Sequence, residues 1–373
     1  MQTRLQLPQG ASCFTFEEAR ARRALENRVV SVFEGWGYDE IVPPLFDDAA
    51  TFDSSLASRL YTFTGREGTT LALRPDFTSL VAKIAAGRLR QVKEPLRLYY
   101  SGEVVRYEPP RAGRQSEFHQ MGLEFLGGAG ATADIEVIAI AIECLEAVGV
   151  TDFVVALGHA EIVTSLLDHA GLGAHDSGRE AALDGLNRRD PVAVAEALSN
   201  ASSKAGGAES SSSRRALIGL AEDNGIRQSL DAARAVLGGN ERAQAALDEI
   251  ASITRTLEEA GLRHRVALDL SESRSLDYYT GLVFRIYAAG LGFEVGGGGR
   301  YDALLGRLGR PMKAIGFMLG LDRLALLVER QGAPLAEPMP PLAKVAGRTL
   351  GESVREARDR RAQGERIRFE GPA

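Results

Sequence analysis

Two runs constrain this chain more than anything else in it: LRLYYSGEVVRYE at 96–108 and EFHQMGLEFLG at 117–127. Both are rich in β-branched and aromatic residues, and a loop of Pro, Gly and Arg at 109–114 separates them. They predict two neighbouring strands of one sheet, in which every second side chain shares a face. On that geometry Arg106 and Glu108 share a face of the first strand, while Gln120, Gly122 and Glu124 share one of the second. Solvated sheet faces commonly carry charges, so neither grouping alone marks a site.

The rest of the pattern surrounds this pair with helices. Residues 15–35 place Thr15 as N-cap before Glu17 and Glu18 and keep apolar residues at helical spacing through Phe33. YDEIVPPLF (38–46) reads as a short strand entering a Pro-Pro turn, 59–75 as a hairpin bent at Gly65 and Gly68, and 78–91 as a helix. A helix at 133–149 is apolar almost all round, which predicts burial. From about 160 to 260 the pattern is helical and more polar, with NASSKAGGAESSSS (200–213) predicted as a flexible loop. Strands return at 264–270 and 282–288, followed by GGGGRYD (296–302) and the apolar AIGFMLGLDRLALLVE (314–329), a strand–helix step expected to close the sheet. A proline-rich linker at 332–341 leads to a charged helix at 350–362 and a strand at 366–370, too poor in apolar residues for an independent domain. The expected division is a core in two parts (1–160 and 263–330), a helical insert (161–262), and a linker with a short tail (331–373).

Composition excludes several classes. No apolar run approaches the roughly 20 residues needed to span a bilayer, and MQTRLQLPQG lacks a signal-peptide core, so a cytoplasmic protein without membrane partners is expected. Cys13 and Cys144 form neither a CxxC pair nor a disulfide framework. None of the five histidines (His119, His159, His169, His175, His264) has metal-ligand spacing, and no phosphate loop or dinucleotide fingerprint is present, so no metal or cofactor is expected. A net charge of −6 argues against gripping tRNA, which requires a basic surface. What the polar segments do supply is arginines for phosphate or carboxylate and acids for an ammonium, with the glycine run beside Arg300, Tyr301 and Asp302 allowing close backbone approach to a ligand.

At these residues the chain resembles the histidyl-tRNA synthetase catalytic core, from about residue 7 to residue 329. GYDEIVPP (37–44), residues 96–127 and GFMLGLDR (316–323) are similar to the three ordered class II motifs, and RSLDYYTG (274–281) and GGGGRYD to the two segments peculiar to the histidine family. The resemblance implies a mixed α/β (α+β) class II aminoacyl-tRNA synthetase fold, an antiparallel sheet flanked by helices with a helical insert, dimerising around Pro44. It implies a histidine pocket: Glu124 and Tyr279 at the imidazole with Tyr278 beside them, Asp76, Thr78 and Gln120 at the ammonium, Arg274 at the carboxylate. It also implies a vestigial nucleotide site at Arg106, Glu108, Arg114 and Arg323.

Departures choose the branch. LRPDFT (73–78) shortens the acid at Asp76 and places Phe77 where glycine leaves room, which is expected to shrink the substrate space. Ser116, Ser275 and Asp322 replace an arginine, a glycine and a glutamate, and LPQGASC (7–13) brings Cys13 in place of an aspartate. Only residues 330–373 follow the third motif, where the synthetases carry an anticodon-binding domain of about a hundred residues. LRPDFT, LDYYTGLVF and the short end resemble the regulatory subunits of ATP phosphoribosyltransferase, synthetase paralogues of histidine biosynthesis. That resemblance implies a non-catalytic subunit which activates a short-form catalytic subunit, as a homodimer within a hetero-octamer, and takes part in histidine feedback. Two other readings stand beside it. The retained Arg106, Arg274 and Arg323 suit an enzyme that activates histidine for a non-tRNA acceptor, and the fold suits a binder of tRNA-like structures.

Overall fold

The structure is a computed structural model that describes residues 7–52, 54–107, 115–128, 130–174, 176–200, 208–222, 229–272, 278–332, 340–345 and 349–369. It divides into two compact units, Met1–Ala333 and Pro334–Ala373.

The first unit opens with α1 (Phe16–Gly35), where the Glu18 carboxylate accepts the Thr15 N–H at 3.4 Å and Leu25, Val29, Val32 and Phe33 form the buried stripe. Short strands β1 (Asp39–Glu40) and β2 (Phe46–Asp48) follow, then the hairpin β3 (Thr62–Thr64) and β4 (Thr70–Leu73). Helix α2 runs Thr78–Ala86, ending at Gly87 before the boundary expected from periodicity. The long strands are β5 (Leu96–Val105) and β6 (Glu117–Leu126), paired antiparallel as the sequence predicts. Helix α3 (Gly130–Ala147) buries Val137, Ile138, Ile140, Ala141 and Leu145, and each such Ile or Leu contributes about 1.5–3 kcal/mol.

Strand β7 (Phe153–His159) is one that the sequence reading does not separate. FVVALGH is apolar nearly throughout because both of its faces are buried, so it carries no alternation. Six helices come next: α4 (Ala160–His169), α5 (Ser177–Arg188), α6 (Pro191–Ser199), α7 (Ala208–Glu222), α8 (Leu230–Leu237) and α9 (Glu241–Glu259). They surround Ile162, Leu166, Leu186, Leu198, Leu217 and Leu247. The serine stretch differs from expectation: 208–213 belong to α7, and Ser210 and Ser213, three apart, are buried on one helix face where small side chains permit close packing. Its residues 201–207 lie outside those described.

Strands β8 (Val266–Leu268), β9 (Leu282–Ala288) and β10 (Gly296–Arg300), short α10 (Ala303–Arg307), β11 (Ala314–Gly320) and α11 (Leu321–Arg330) complete the unit. The main sheet has the order β1-β5-β6-β11-β10-β9-β7-β8, antiparallel except for the outer pairs β1–β5 and β7–β8. Strand β11 therefore does not close an edge but fills the middle, between β6 and β10. Strands β2, β4 and β3 form a separate small sheet. No described helix is long and apolar enough to cross a membrane.

In the second unit β12 (Leu342–Val345) and β13 (Arg366–Phe369) pair in parallel across α12 (Leu350–Ala362). It is a single βαβ step whose helix buries only Ser353, in keeping with the few apolar residues available to it.

Candidate functional site

The register of the main sheet places one set of side chains on a common face. Tyr100 lies opposite Gly122, Leu98 opposite Glu124, and Gly102 opposite Gln120. On the other side of β6, Gly316 pairs with Glu124 and Met318 with Gly122, and Gly297 of β10 pairs with both Met318 and Arg285. The loop into α2 brings Asp76 and Thr78 over this face, and the segment before β9 brings Tyr278 and Tyr279. The result is a cleft of about 250 Å³ whose lining includes Asp76, Thr78, Gln120, Tyr278 and Tyr279 together with Arg106 and Arg323. It shares Thr78, Tyr100, Tyr278, Tyr279, Gly297 and Met318 with a smaller, deeper recess of about 40 Å³ at Glu124 and Tyr301.

Glu124 is fully buried at the end of that recess. The Tyr301 hydroxyl donates to its Oε2, and the Tyr100 hydroxyl lies 3.5 Å from its Oε1. Burial pushes its carboxyl up to about 7 against the opposing pull of the Tyr301 and Thr78 hydroxyls. Burial likewise raises the tyrosines Tyr100, Tyr278, Tyr279 and Tyr301, so their hydroxyls stay protonated. The Tyr278 hydroxyl is buried, and Thr78 is the side chain that acts on it. The recess thus offers a carboxylate and phenol hydroxyls, enough to read both nitrogens of a small heteroaromatic ring.

Space for the carboxylate depends on Gly316, because a Cβ there would overlap Glu124 Oε2 and meet Leu123 O at 2.5 Å. Gly316→Ala should therefore lower the melting temperature and displace Glu124, at an overpacking cost of roughly 1–3 kcal/mol. Thermal unfolding equal to wild type would show that the strand pair has room to spare.

The outer cleft is held by ion pairs and carbonyl contacts. Asp76 accepts the Ser79 N–H at 3.1 Å, Arg106 donates to Pro75 O at 3.4 Å and lies over the Phe118 ring, and Arg323 donates to Glu294 O at 2.7 Å. Arg285 pairs with Glu272 at 3.5 Å. Two sets of residues that the sequence separates, those expected at an amino acid and the arginines expected at a nucleotide, thus meet in one cleft. Arg274, Glu108 and Arg114 lie outside the described residues, as do Ser275 and His175.

Several expectations change. Phe77 does not line the cleft; it is buried, its ring stacked on Tyr100 at 4.2 Å with the Arg74 guanidinium 4.0 Å from its centroid, so the core takes up its bulk. Asp322, in place of the family's glutamate, pairs with Arg22 and accepts the His119 N–H at 3.0 Å. Ser116 Oγ accepts the Tyr61 hydroxyl at 3.2 Å. GGGGRYD begins with a strand, Gly296–Arg300, and Arg300 turns away from the cleft to pair with buried Asp134, while Asp302 accepts the Ala314 N–H at 2.9 Å. The residues that sequence reasoning missed are Tyr100, Arg59, Arg285 and Glu294, and the hydroxyl role of Tyr301. Period-two alternation from Gly102 could have found Tyr100; the other cleft residues are joined only by the tertiary fold. Among the described residues no group of three or more His, Cys, Asp or Glu could hold a metal ion.

Comparison with known proteins gives the family and the fold. The family model for histidyl-tRNA synthetase matches residues 13–324. The ATP phosphoribosyltransferase regulatory subunit of Moorella thermoacetica is 40% identical over 372 residues, 98% of this chain and 92% of that protein. The one from Symbiobacterium thermophilum is 39% identical over 342 residues, 90% and 83% of the two chains. A solved structure described as an ATP phosphoribosyltransferase regulatory subunit/histidyl-tRNA synthetase from Bacillus halodurans superposes with a TM-score of 0.83 at 28% identity, covering 98% of this chain and 93% of that one. The fold is that of the class II aminoacyl-tRNA synthetase core, a largely antiparallel sheet with flanking helices. With 40% identity to a regulatory subunit over nearly its full length and that core beneath the cleft, the chain belongs to the ATP phosphoribosyltransferase regulatory subunit family, a branch of the histidyl-tRNA synthetase fold.

Proposed function

We propose that this protein is the regulatory, non-catalytic subunit of a short-form ATP phosphoribosyltransferase in histidine biosynthesis, and that free histidine binds in its cleft as the feedback effector. The observation that carries the effector site is the recess itself: a buried Glu124, the buried Tyr278 hydroxyl beside Thr78, and Tyr279 on one wall. In this reading the imidazole enters the recess, and Asp76, Thr78 and Gln120 face the ammonium from the wider cleft. Arg274 receives the carboxylate, and the arginines at 106 and 323 persist as parts of the cleft wall. The reaction of ATP with phosphoribosyl pyrophosphate takes place on the partner subunit. Feedback then requires only that histidine bind the inhibited assembly more tightly than the active one, by a few kcal/mol.

A second copy of the chain is part of the proposal. Around the Pro-Pro turn, Val42 is 82% exposed and Leu45 and Phe46 49% each, an apolar surface that a dimer would cover. One experiment tests the whole reading: phosphoribosyl-ATP formation by a short-form catalytic subunit, with and without this protein, at zero and saturating histidine, with the assembly mass read by light scattering. Activation that histidine suppresses, in a hetero-oligomer holding paired copies, is expected. No activation of a competent partner, or histidine-dependent pyrophosphate exchange by this chain alone, would overturn it.

A further inference from the structure

One side chain of the helical insert reaches the turn that supports the cleft wall. Arg189, at the corner between α5 and α6, has a φ of 55°, a left-handed conformation that glycine adopts freely and arginine does not. Its guanidinium grips the turn after β8: Nη2 donates to both carboxylate oxygens of Asp269, at 2.8 and 2.7 Å, and Nη1 to the Ser271 hydroxyl. Asp269 is buried and also accepts the Ser271 hydroxyl at 2.8 Å. Glu272, next along, is buried as well and pairs with Arg285 in the cleft wall at 3.5 Å. The turn rests on β7 where Gly158 has no side chain, since a Cβ there would meet Asp269 O at 2.5 Å and Glu272 Cβ at 3.2 Å.

We infer that Arg189 is a positioning residue for the ligand cleft: by clamping the Asp269–Glu272 turn it sets Glu272, and through it Arg285, so that insert placement and cleft occupancy are linked. The inference rests on reading the cleft as a histidine site. A merely local role predicts the reverse, because a residue needed only to end α5 would serve better as glycine at this φ.

The test compares Arg189→Gly and Arg189→Lys with Arg214→Ala in the full chain; Arg214 bonds to the carbonyls of Ala170 and Leu198 inside the insert. Histidine affinity is measured by calorimetry, and hydrogen exchange of peptides spanning 278–285 is measured on the ligand-free protein. Arg189→Gly should weaken histidine binding roughly tenfold and speed exchange in those peptides, with partial rescue by lysine. Arg214→Ala should lower the melting temperature and alter neither. Wild-type affinity and exchange in Arg189→Gly would overturn the inference. If the unaltered protein binds no histidine, the cleft reading falls separately, and exchange still decides: unchanged exchange in Arg189→Gly overturns the positioning role, and faster exchange upholds it.

Discussion

Glu124→Gln should weaken histidine binding by roughly 10- to 150-fold, the 1.5–3 kcal/mol of a charge-assisted hydrogen bond, while making the protein more stable at pH 8. The two effects share a cause. Glu124 is buried, and burial raises its carboxyl from 4.5 to about 7. Between those values the folded state holds a proton that the unfolded chain has released, so stability is highest below about 4.5 and falls as pH rises. The fall is complete above about 7. By then it amounts to about 3 kcal/mol. Glutamine keeps an acceptor for the Tyr301 hydroxyl and carries no such penalty. Urea unfolding at pH 4 and pH 8 should therefore show the variant gaining stability only at the higher pH, and calorimetric titration with histidine should show the lost affinity. Equal histidine affinity in the two proteins would remove Glu124 from the pocket; an equal stability difference at both pH values would remove burial of its charge as the cause.

A carboxylate held at this cost is the sort of local conflict that marks a ligand site. The sequence reading could reach it because its neighbours are local in sequence: LRPDFT brings Asp76 and Thr78 to the start of α2, and the alternation in 117–127 puts Gln120 and Glu124 on one face. Arg59, Arg285 and Glu294 have no such local signature, because they enter the cleft only through the crossing of the small sheet's flank with β9 and the segment before β10. Strand β7 was hidden for a related reason, since burial on both faces erases the alternation that would reveal it. The glycine run brings backbone to the cleft, through Gly297 and Gly298, but the side chains that follow it diverge. Adjacent residues on an extended segment face opposite ways, so Arg300 and Tyr301 could not both serve the ligand face. The structure gives that face to Tyr301, whose hydroxyl meets Glu124, and turns Arg300 to α3.

That turn predicts the largest stability effect in the molecule. The Arg300 guanidinium donates to Asp134, to Gly128 O at 3.3 Å and to Gly130 O at 3.2 Å, and the Asp134 side chain is completely inaccessible. Asp134 Oδ2 already lacks a partner among the described residues. Arg300→Met fills similar volume but leaves the carboxyl alone in the core, and breaking such a pair costs roughly 3–5 kcal/mol. In a chain of this size the melting temperature should drop by roughly 4–6 °C. Burial already raises the Asp134 carboxyl to about 6 despite Arg300 beside it, so without the cation it rises further. The loss should then be larger at pH 8 than at pH 5, where the neutral acid is cheaper to bury. Asp134→Asn in the Arg300→Met background should recover much of the stability at pH 8, because no charge is left to desolvate. Additive losses in the double variant, or a melting temperature independent of pH in the single one, would mean that the pair is not what ties α3 to the strand carrying Tyr301.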